Sequence, residues 1–196
     1  MKIEIVIYIC CLFMRNTPYA IEHFDYYLSS PIVLQDNYYA IYHTSGEWNY
    51  HVALYDKEGK IVYVAEHPRT FPKIEYISDN LMRIHHGIGT GAWEEQYYDI
   101  TSQKISKPFL NPVLSEKGLV VYYQYSGGGY EFTLIAADMF SNKIYNEFEV
   151  SDLPETLFPF SFTEDISLSD DDILTVTYYT DLDRADSKTI ALQIDR

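Results

Sequence analysis

Four segments of the chain repeat one pattern, and this repeat restricts the possible folds more than any other feature of its 196 residues. Each segment opens with a short apolar stretch and a polar turn, and a run rich in β-branched and aromatic residues follows. The four runs are residues 38–42, 81–85, 119–125 and 173–179. Runs of this kind between turn residues predict β-strands. A single unit of a few strands cannot bury its apolar face alone, so we expect neighbouring units to share a core.

The second half of each segment repeats as well. An Asp ends a strand, a short turn follows, and Lys-Ile opens the next strand. The pattern occurs at Asp56, Asp99 and Asp138, which are spaced by 43 and 39 residues, and we expect Asp195 to be the fourth member. An Asp side chain at a turn accepts hydrogen bonds from backbone N–H groups a few residues further on. These carboxylates are therefore predicted to close the turns.

A repeat of four strands in about 40 residues resembles the blade of a β-propeller. The resemblance covers residues 31–196 and rests on the strand pattern, because the WD and kelch signatures are missing. It implies one all-β domain over residues 1–196, in which four antiparallel meanders form a small four-bladed array. The repeat units are residues 31–70, 71–110, 111–150 and 166–196, with an acidic insertion at 151–165. A β-sandwich is the alternative, because strand patterning alone rarely determines topology.

The two ends of the chain bear on closure of such an array. The fourth unit stops at Arg196 before its last strand, and the chain begins Met-Lys-Ile, which would supply the missing motif. Many propellers pair the two chain ends in one blade, so the resemblance predicts that residues 1–9 form a closing strand.

The apolar run at the start of the chain also resembles a signal peptide, but Glu4 interrupts it. The neighbouring Cys10 and Cys11 make a poor disulfide. We expect a cytoplasmic protein, with export as the alternative.

Charge narrows the class of partner. The chain has 29 acidic and 14 basic residues and a formal net charge of -15, and residues 151–183 contain nine acids and no Lys or Arg. An acidic surface repels phosphate backbones, which argues against nucleic acid as a partner. It attracts basic proteins and speeds their encounter. The apolar run at the start of the chain is too short to span a bilayer, so we expect no membrane partner.

No residue pattern predicts a catalytic or metal site. His43, His85 and His86 fall near the ends of equivalent strands, but no further ligand lies at metal-binding spacing. The acidic stretches 170–172 and 181–186 lack the glycine and bidentate Glu of a calcium loop. No nucleophile elbow or Ser/His/Asp order is present. We therefore predict that the chain is not an enzyme and has no metal or cofactor.

A candidate binding face follows from the resemblance. In a propeller, the loop between the second and third strands of a blade shares a face with the links between blades. Aromatic residues on such a face anchor a partner, and acidic residues around them steer it. The predicted partner-binding residues are Glu47, Trp48, Trp93, Glu94, Glu95, Tyr130, Asp152, Glu155, Phe158, Asp181 and Asp183. The alternative is that Phe158, Phe160 and Phe162 alternate along an ordinary strand edge and that both tryptophans pack onto the core.

These features favour a non-catalytic acidic protein that docks a basic protein partner. One class with such properties is the bacterial immunity protein, an acidic toxin inhibitor that covers a cationic nuclease. A carbohydrate-binding module or a glycosidase-like enzyme is the alternative, because exposed Trp and Tyr rings also stack on sugars and glycosidase carboxylates need no local motif. The third hypothesis is a structural role, in which the chain is an array of blades in an exported bacterial protein.

Overall fold

A computed structural model describes residues 32–33, 38–45, 49–68, 70, 72–89, 91–125, 131–150, 152–154 and 159–196. Within these ranges the chain forms sixteen β-strands and one short 3-10 turn, and no α-helix. The strand pairings described within these ranges are antiparallel, which confirms the predicted all-β class. The chain divides into two compact units, residues 1–88 with 99–103 and residues 89–98 with 104–196.

The first unit contains a four-stranded sheet and a hairpin. Strands β1 to β4 lie in the order of the chain and form the first sheet. Their bounds, and those of the hairpin strands β5 and β6, are Ile32–Val33, Tyr39–Ser45, Asn49–Tyr55, Ile61–Pro68, Lys73–Ser78 and Leu81–Gly89. Alternate side chains of β6 are buried, namely Met82, Ile84 and His86. This period of two is the pattern of a strand with one face turned to a core.

The second unit contains the remaining strands. β7 to β16 are Ala92–Asp99, Lys104–Ile105, Phe109–Leu110, Pro112–Glu116, Leu119–Tyr125, Phe132–Asp138, Ile144–Val150, Thr163–Leu168, Ile173–Tyr179 and Ser187–Gln193. The second sheet has the strand order β5-β6-β7-β8, and β9 pairs with β7. The third sheet is β10-β11-β12-β13, and the fourth is β14-β15-β16.

The third and fourth sheets share one apolar core. Alternate residues of β11, β12 and β15 supply most of it. The buried members are Leu119, Val121, Tyr123, Phe132, Leu134, Ala136, Val150, Leu168, Leu174, Val176, Tyr178 and Ile194. Full burial of one large apolar side chain stabilises a fold by about 1.5–3 kcal/mol. The two sheets therefore stabilise each other, as expected of meanders that cannot bury an apolar face alone.

The predicted Asp turns are confirmed at three places. Asp56 Oδ1 accepts hydrogen bonds from the N–H groups of Glu58 and Lys60, at 3.0 and 2.8 Å. Asp99 Oδ1 accepts from Thr101 and Ser102 at 2.8 and 3.1 Å, and Asp138 Oδ1 accepts from Phe140 at 2.9 Å. Each carboxylate satisfies backbone donors that the hairpin ladder leaves unpaired.

The fourth member of this motif was predicted wrongly. β11 begins with Leu119 opposite Asp138, whereas β15 begins with Ile173 opposite Gln193. Gln193 therefore takes the place in the fourth sheet that Asp138 has in the third, and the predicted Asp195 lies two residues beyond it. A gap of 57 residues between Asp138 and Asp195 leaves the register open in the sequence.

The predicted insertion and closing strand have different outcomes. β14 starts at Thr163, inside the predicted insertion 151–165, and Pro159–Phe162 form the 3-10 turn. The alternative, in which these phenylalanines alternate along a strand edge, is therefore wrong for Phe160 and Phe162. The predicted closing strand, residues 1–9, lies outside the described residues, so closure stays a prediction. In the described part of the chain, no helix has the length and apolar character needed to cross a bilayer.

Candidate protein-binding surface

Six of the eleven predicted binding residues fall within the described ranges, and all six belong to the second unit. Glu47, Trp48, Tyr130, Glu155 and Phe158 lie outside those ranges. Trp93, Glu94 and Glu95 were expected in a loop but belong to β7. The strand begins at Ala92, directly after Gly91, whose positive φ of 68° permits a tight turn. Asp152 follows β13, and Asp181 and Asp183 lie in the turn between β15 and β16.

Trp93 contacts the 3-10 turn of the insertion. Its ring meets that of Phe160 edge to face, with centroids 4.7 Å apart and an interplanar angle of 72°. Its backbone is held by Asn111, whose Oδ1 accepts from Trp93 N–H at 2.8 Å and whose N–H donates to the Trp93 carbonyl at 2.9 Å. Asn111 adopts a φ of 45°, which Asn tolerates better than most residues. These contacts place the indole beside Phe160 of the insertion.

Glu94 and Glu95 have opposite environments. Successive side chains of a strand point to opposite faces, so Glu95 shares a face of β7 with Trp93, and Glu94 lies on the other. Glu95 is only 5% exposed and accepts a 2.6 Å hydrogen bond from the hydroxyl of the fully buried Tyr97. Glu95 therefore faces inward and offers little to a partner, and the half-buried Trp93 on the same face packs against Phe160, which itself packs against the core. Partial burial raises the pKa of the Glu94 carboxyl.

The turn between β15 and β16, residues 180–186, is closed by its own hydrogen bonds. Asp181 Oδ1 accepts from the N–H groups of Ala185 and Asp186 at 2.9 and 3.4 Å, and Thr180 N–H donates to the Asp186 carbonyl at 3.0 Å. Leu182 at its tip is 71% exposed, the largest exposure among the large apolar side chains described. The turn thus holds an apolar side chain between two acidic residues on an ordered backbone.

Two basic residues enter this acidic region, and the sequence interpretation missed both. Arg184 Nη2 donates to the Ser161 carbonyl at 2.9 Å, and the Arg184 guanidinium lies 5.8 Å from the Phe162 ring and 5.6 Å from the Tyr179 ring. Lys188 Nζ lies 2.5 Å from Asp152 Oδ2, and this hydrogen bond raises the pKa of Lys188. The acidic stretch singled out in the sequence, residues 151–183, ends one residue before Arg184 and therefore did not include either base.

We call the following group the aromatic–acidic surface, because its members are joined by these contacts or by neighbouring positions in the chain. Its residues are Trp93, Phe160, Ser161, Phe162, Tyr179, Asp181, Leu182, Asp183 and Arg184, of which Phe162 is buried and Trp93 and Phe160 are half-buried. Asp152 and Lys188 form a separate pair, in which Lys188 lies opposite Tyr178 in the sheet. Aromatic rings lie beside acidic side chains here, and this combination suits recognition of a cationic protein surface.

The histidines present no metal cluster within the described residues, where no group of three His, Cys, Asp or Glu side chains converges. His86 is buried, and burial lowers its pKa, with a further contribution from the neighbouring His85. The His43 side chain lies outside the described part. His86 packs inward with Met82 and Ile84, whereas the half-buried His85 lies on the opposite face of β6.

The chain matches no protein-family model and no curated protein. A solved structure to which it is similar is the β-propeller domain of the Trilobed protease from Pyrococcus furiosus, at 14% identity and a TM-score of 0.35. The match covers 78% of this chain and 48% of that one, so the chain spans about half the length of its structural neighbour. A likeness this low carries no argument about function.

Proposed function

We propose that the chain is a non-catalytic acidic protein that binds a basic protein through the aromatic–acidic surface. The observation that carries the proposal is the turn 180–186, where the exposed Leu182 stands between Asp181 and Asp183 on a hydrogen-bonded backbone. An apolar anchor surrounded by polar groups is the usual arrangement of an interface centre. An ordered turn also loses little conformational entropy when it binds.

The charge of residues 151–188 supports a positively charged partner. Residues 151–188 contain ten acids against the two bases Arg184 and Lys188. Both bases are already engaged, Arg184 with aromatic rings and Lys188 with Asp152. The excess of ten acids over two bases leaves this region with a net negative charge, and its field speeds encounter with a cationic protein. The partner class that we propose is a cationic toxin nuclease, which would make the chain an immunity protein.

The test is binding to a basic nuclease domain encoded next to the gene for this chain, measured by calorimetry at 50 and 300 mM salt. We expect the affinity to fall about tenfold or more with salt, because the encounter is electrostatic. Asp183→Lys should weaken binding by about another tenfold, and Leu182→Ala should weaken it with little change in salt dependence.

Asp171→Lys is the matched control for Asp183→Lys. Asp171 is an exposed acid in the turn at the opposite end of β15, about 20 Å away along a seven-residue strand. Asp171→Lys changes the net charge by the same amount as Asp183→Lys, but at a position outside the aromatic–acidic surface. Equal losses for the two variants would show that only net charge matters and would exclude this surface. Binding that ignores salt and both substitutions would exclude the proposed function.

A further inference from the structure

Arg184 occupies a site whose chemistry fits an arginine side chain. We propose that Phe162, Tyr179 and the Ser161 carbonyl form a recognition site for an arginine of the partner, which Arg184 of this chain fills until the partner binds. The inference rests on the proposed function and specifies which cationic group the aromatic–acidic surface selects.

The geometry of the site is that of guanidinium recognition. The guanidinium carbon of Arg184 lies within 6 Å of two aromatic ring centroids, at 5.8 Å from Phe162 and 5.6 Å from Tyr179. The Ser161 carbonyl accepts one N–H of the same group at 2.9 Å. Aromatic faces attract cations, and the planar, weakly hydrated guanidinium stacks on them better than a lysine ammonium does.

A carboxylate stands beside the rings. β14 is irregular between Thr163 and Asp165, where Glu164 is the extra residue opposite β15. Such a bulge turns its side chain away from the regular direction. Glu164 accepts a hydrogen bond from the Tyr179 hydroxyl, which, after burial, contributes to the raised pKa of Tyr179. The negative charge of the Glu164 carboxylate therefore lies next to the Tyr179 ring, and it favours a cation placed on that ring.

Arg184 is a replaceable occupant because the turn does not need its side chain. Residues 180–186 are closed through Asp181 Oδ1 and the bond from Thr180 to Asp186, neither of which involves the guanidinium. The Arg184 residue is exposed. A partner arginine in the same site is shielded from water by the interface, where cation–π contacts are stronger than at an exposed position. The replacement of Arg184 by a partner arginine is therefore favourable. Arg184 reduces the apparent affinity for the partner in proportion to the fraction of molecules in which the site is open.

The experiment uses fluorescence anisotropy of labelled hexa-arginine and hexa-lysine peptides with the full chain at about 150 mM salt. Arg184→Ala should tighten hexa-arginine binding about three- to tenfold, because the site is then always open, and hexa-lysine binding less than twofold. Lys188→Ala is the matched control, since it removes one positive charge from the same acidic segment, residues 151–188, but outside the site. It should tighten both peptides equally.

A double variant separates the site from general charge. Tyr179→Leu in the Arg184→Ala background should abolish the gain for hexa-arginine, because one of the two rings is lost. If that variant unfolds in a thermal melt, Phe162→Leu in the same background takes its place. Equal gains for both peptides, or a gain that survives loss of the ring, would overturn the inference. If the nuclease encoded by the neighbouring gene binds the wild-type chain, but Arg184→Ala does not bind it more tightly, the arginine site is excluded and the proposed function stands. If the nuclease does not bind at all, the proposed function is excluded.

Discussion

At the scale of single residues, Asn111 determines how the Trp93 backbone is held. Its amide oxygen accepts a hydrogen bond from the Trp93 N–H, and its backbone N–H donates to the Trp93 carbonyl. Its φ of 45° requires a residue that tolerates the left-handed region. Asn111→Ala removes the acceptor and strains the backbone, so we expect urea unfolding to show a loss of about 1–3 kcal/mol. Asn111→Asp keeps an acceptor and should stay within about 0.5 kcal/mol of wild type. A larger loss for Asp than for Ala would contradict this role.

Glu75 gives the first unit a pH dependence at low pH. Its pKa is lowered from the ordinary 4.5 to about 2, chiefly by a hydrogen bond from Arg83, which lies opposite it on β6, and next by Lys73. The folded pKa is depressed, so the stabilisation is complete above the unfolded value and is lost as the pH falls through about 2.

The corresponding variant is Glu75→Gln. We expect it to lower the free energy of unfolding by about 1–2 kcal/mol at pH 7, a figure reduced from the full shift because the Glu75 side chain is 27% exposed. The difference between wild type and variant should shrink between pH 5 and 2, measured by urea unfolding across that range. A difference that stays constant down to pH 2 would mean that the carboxylate charge contributes nothing.

At the scale of the elements, the Asp turns differ in how much their carboxylates contribute. Asp138 accepts from Phe140 N–H through Oδ1 and from the Tyr145 hydroxyl through Oδ2, each at 2.9 Å. Burial acts to raise its pKa, but these bonds and those from Ser141 outweigh it and the pKa is lowered. The bonds of Asp99 are exposed to solvent. Water replaces a lost partner easily at an exposed turn and poorly at a partly buried one.

Asp138→Ala should therefore cost about 1–3 kcal/mol and Asp99→Ala about 0.5–1 kcal/mol in the free energy of unfolding, both measured in urea. Asp138→Asn keeps the Oδ1 acceptor and should lose less than the alanine variant. If the two alanine variants lost equal amounts, burial would not be what distinguishes the two turns.

The local chemistry of the fold was predictable, and the placement of distant segments was not. Asp56, Asp99 and Asp138 close their turns as expected, because the bonds involved span two to four residues. The register of β16 was misjudged, because a single Asp beyond a long gap says nothing about which residue pairs with Ile173. Local rules cannot supply a register that the shared core of two sheets selects.

The candidate surface was predictable only in part for the same reason. Trp93 was expected near the insertion and contacts Phe160 there. The inward position of Glu95 was not foreseen, because residues 93–95 were expected in a loop, whereas β7 already begins at Ala92 and its side chains alternate between two faces. The placement of Arg184 on two rings depends on the 3-10 turn at Pro159–Phe162, which the alternating phenylalanines concealed.

At the scale of the whole molecule, internal contacts use most of the positive charge in the second unit. That unit has seven basic residues, of which six have a charged, carbonyl or aromatic partner within the unit: Lys107, Lys117, Lys143, Arg184, Lys188 and Arg196. These contacts hold the basic side chains in place but do not remove their charge, which the net charge of -15 already includes. The excess of acids over bases therefore gives the chain a negative field at a distance.

The shared core predicts that the third and fourth sheets unfold together. Ile194, one residue beyond β16, is only 2% exposed, belongs to that core, and donates its N–H to the Asp172 carbonyl at 2.9 Å. Ile194→Ala should cost about 2–5 kcal/mol, as large-to-small changes in cores do. Its neighbour Asp195 is exposed, so Asp195→Ala is the control and should be near neutral.

Hydrogen exchange shows how far the effect of Ile194→Ala spreads. Residues of β11, β12 and β15 pack into the same core, so amides in all three strands should lose protection by a similar factor. Loss of protection restricted to β15 and β16 would mean that the fourth sheet opens by itself. The third sheet would then keep a core of its own, although Leu119, Val121 and Leu134 would lose the apolar partners that β15 now supplies. Because a lone sheet would expose to water the apolar face that the two sheets now bury together, we expect joint unfolding.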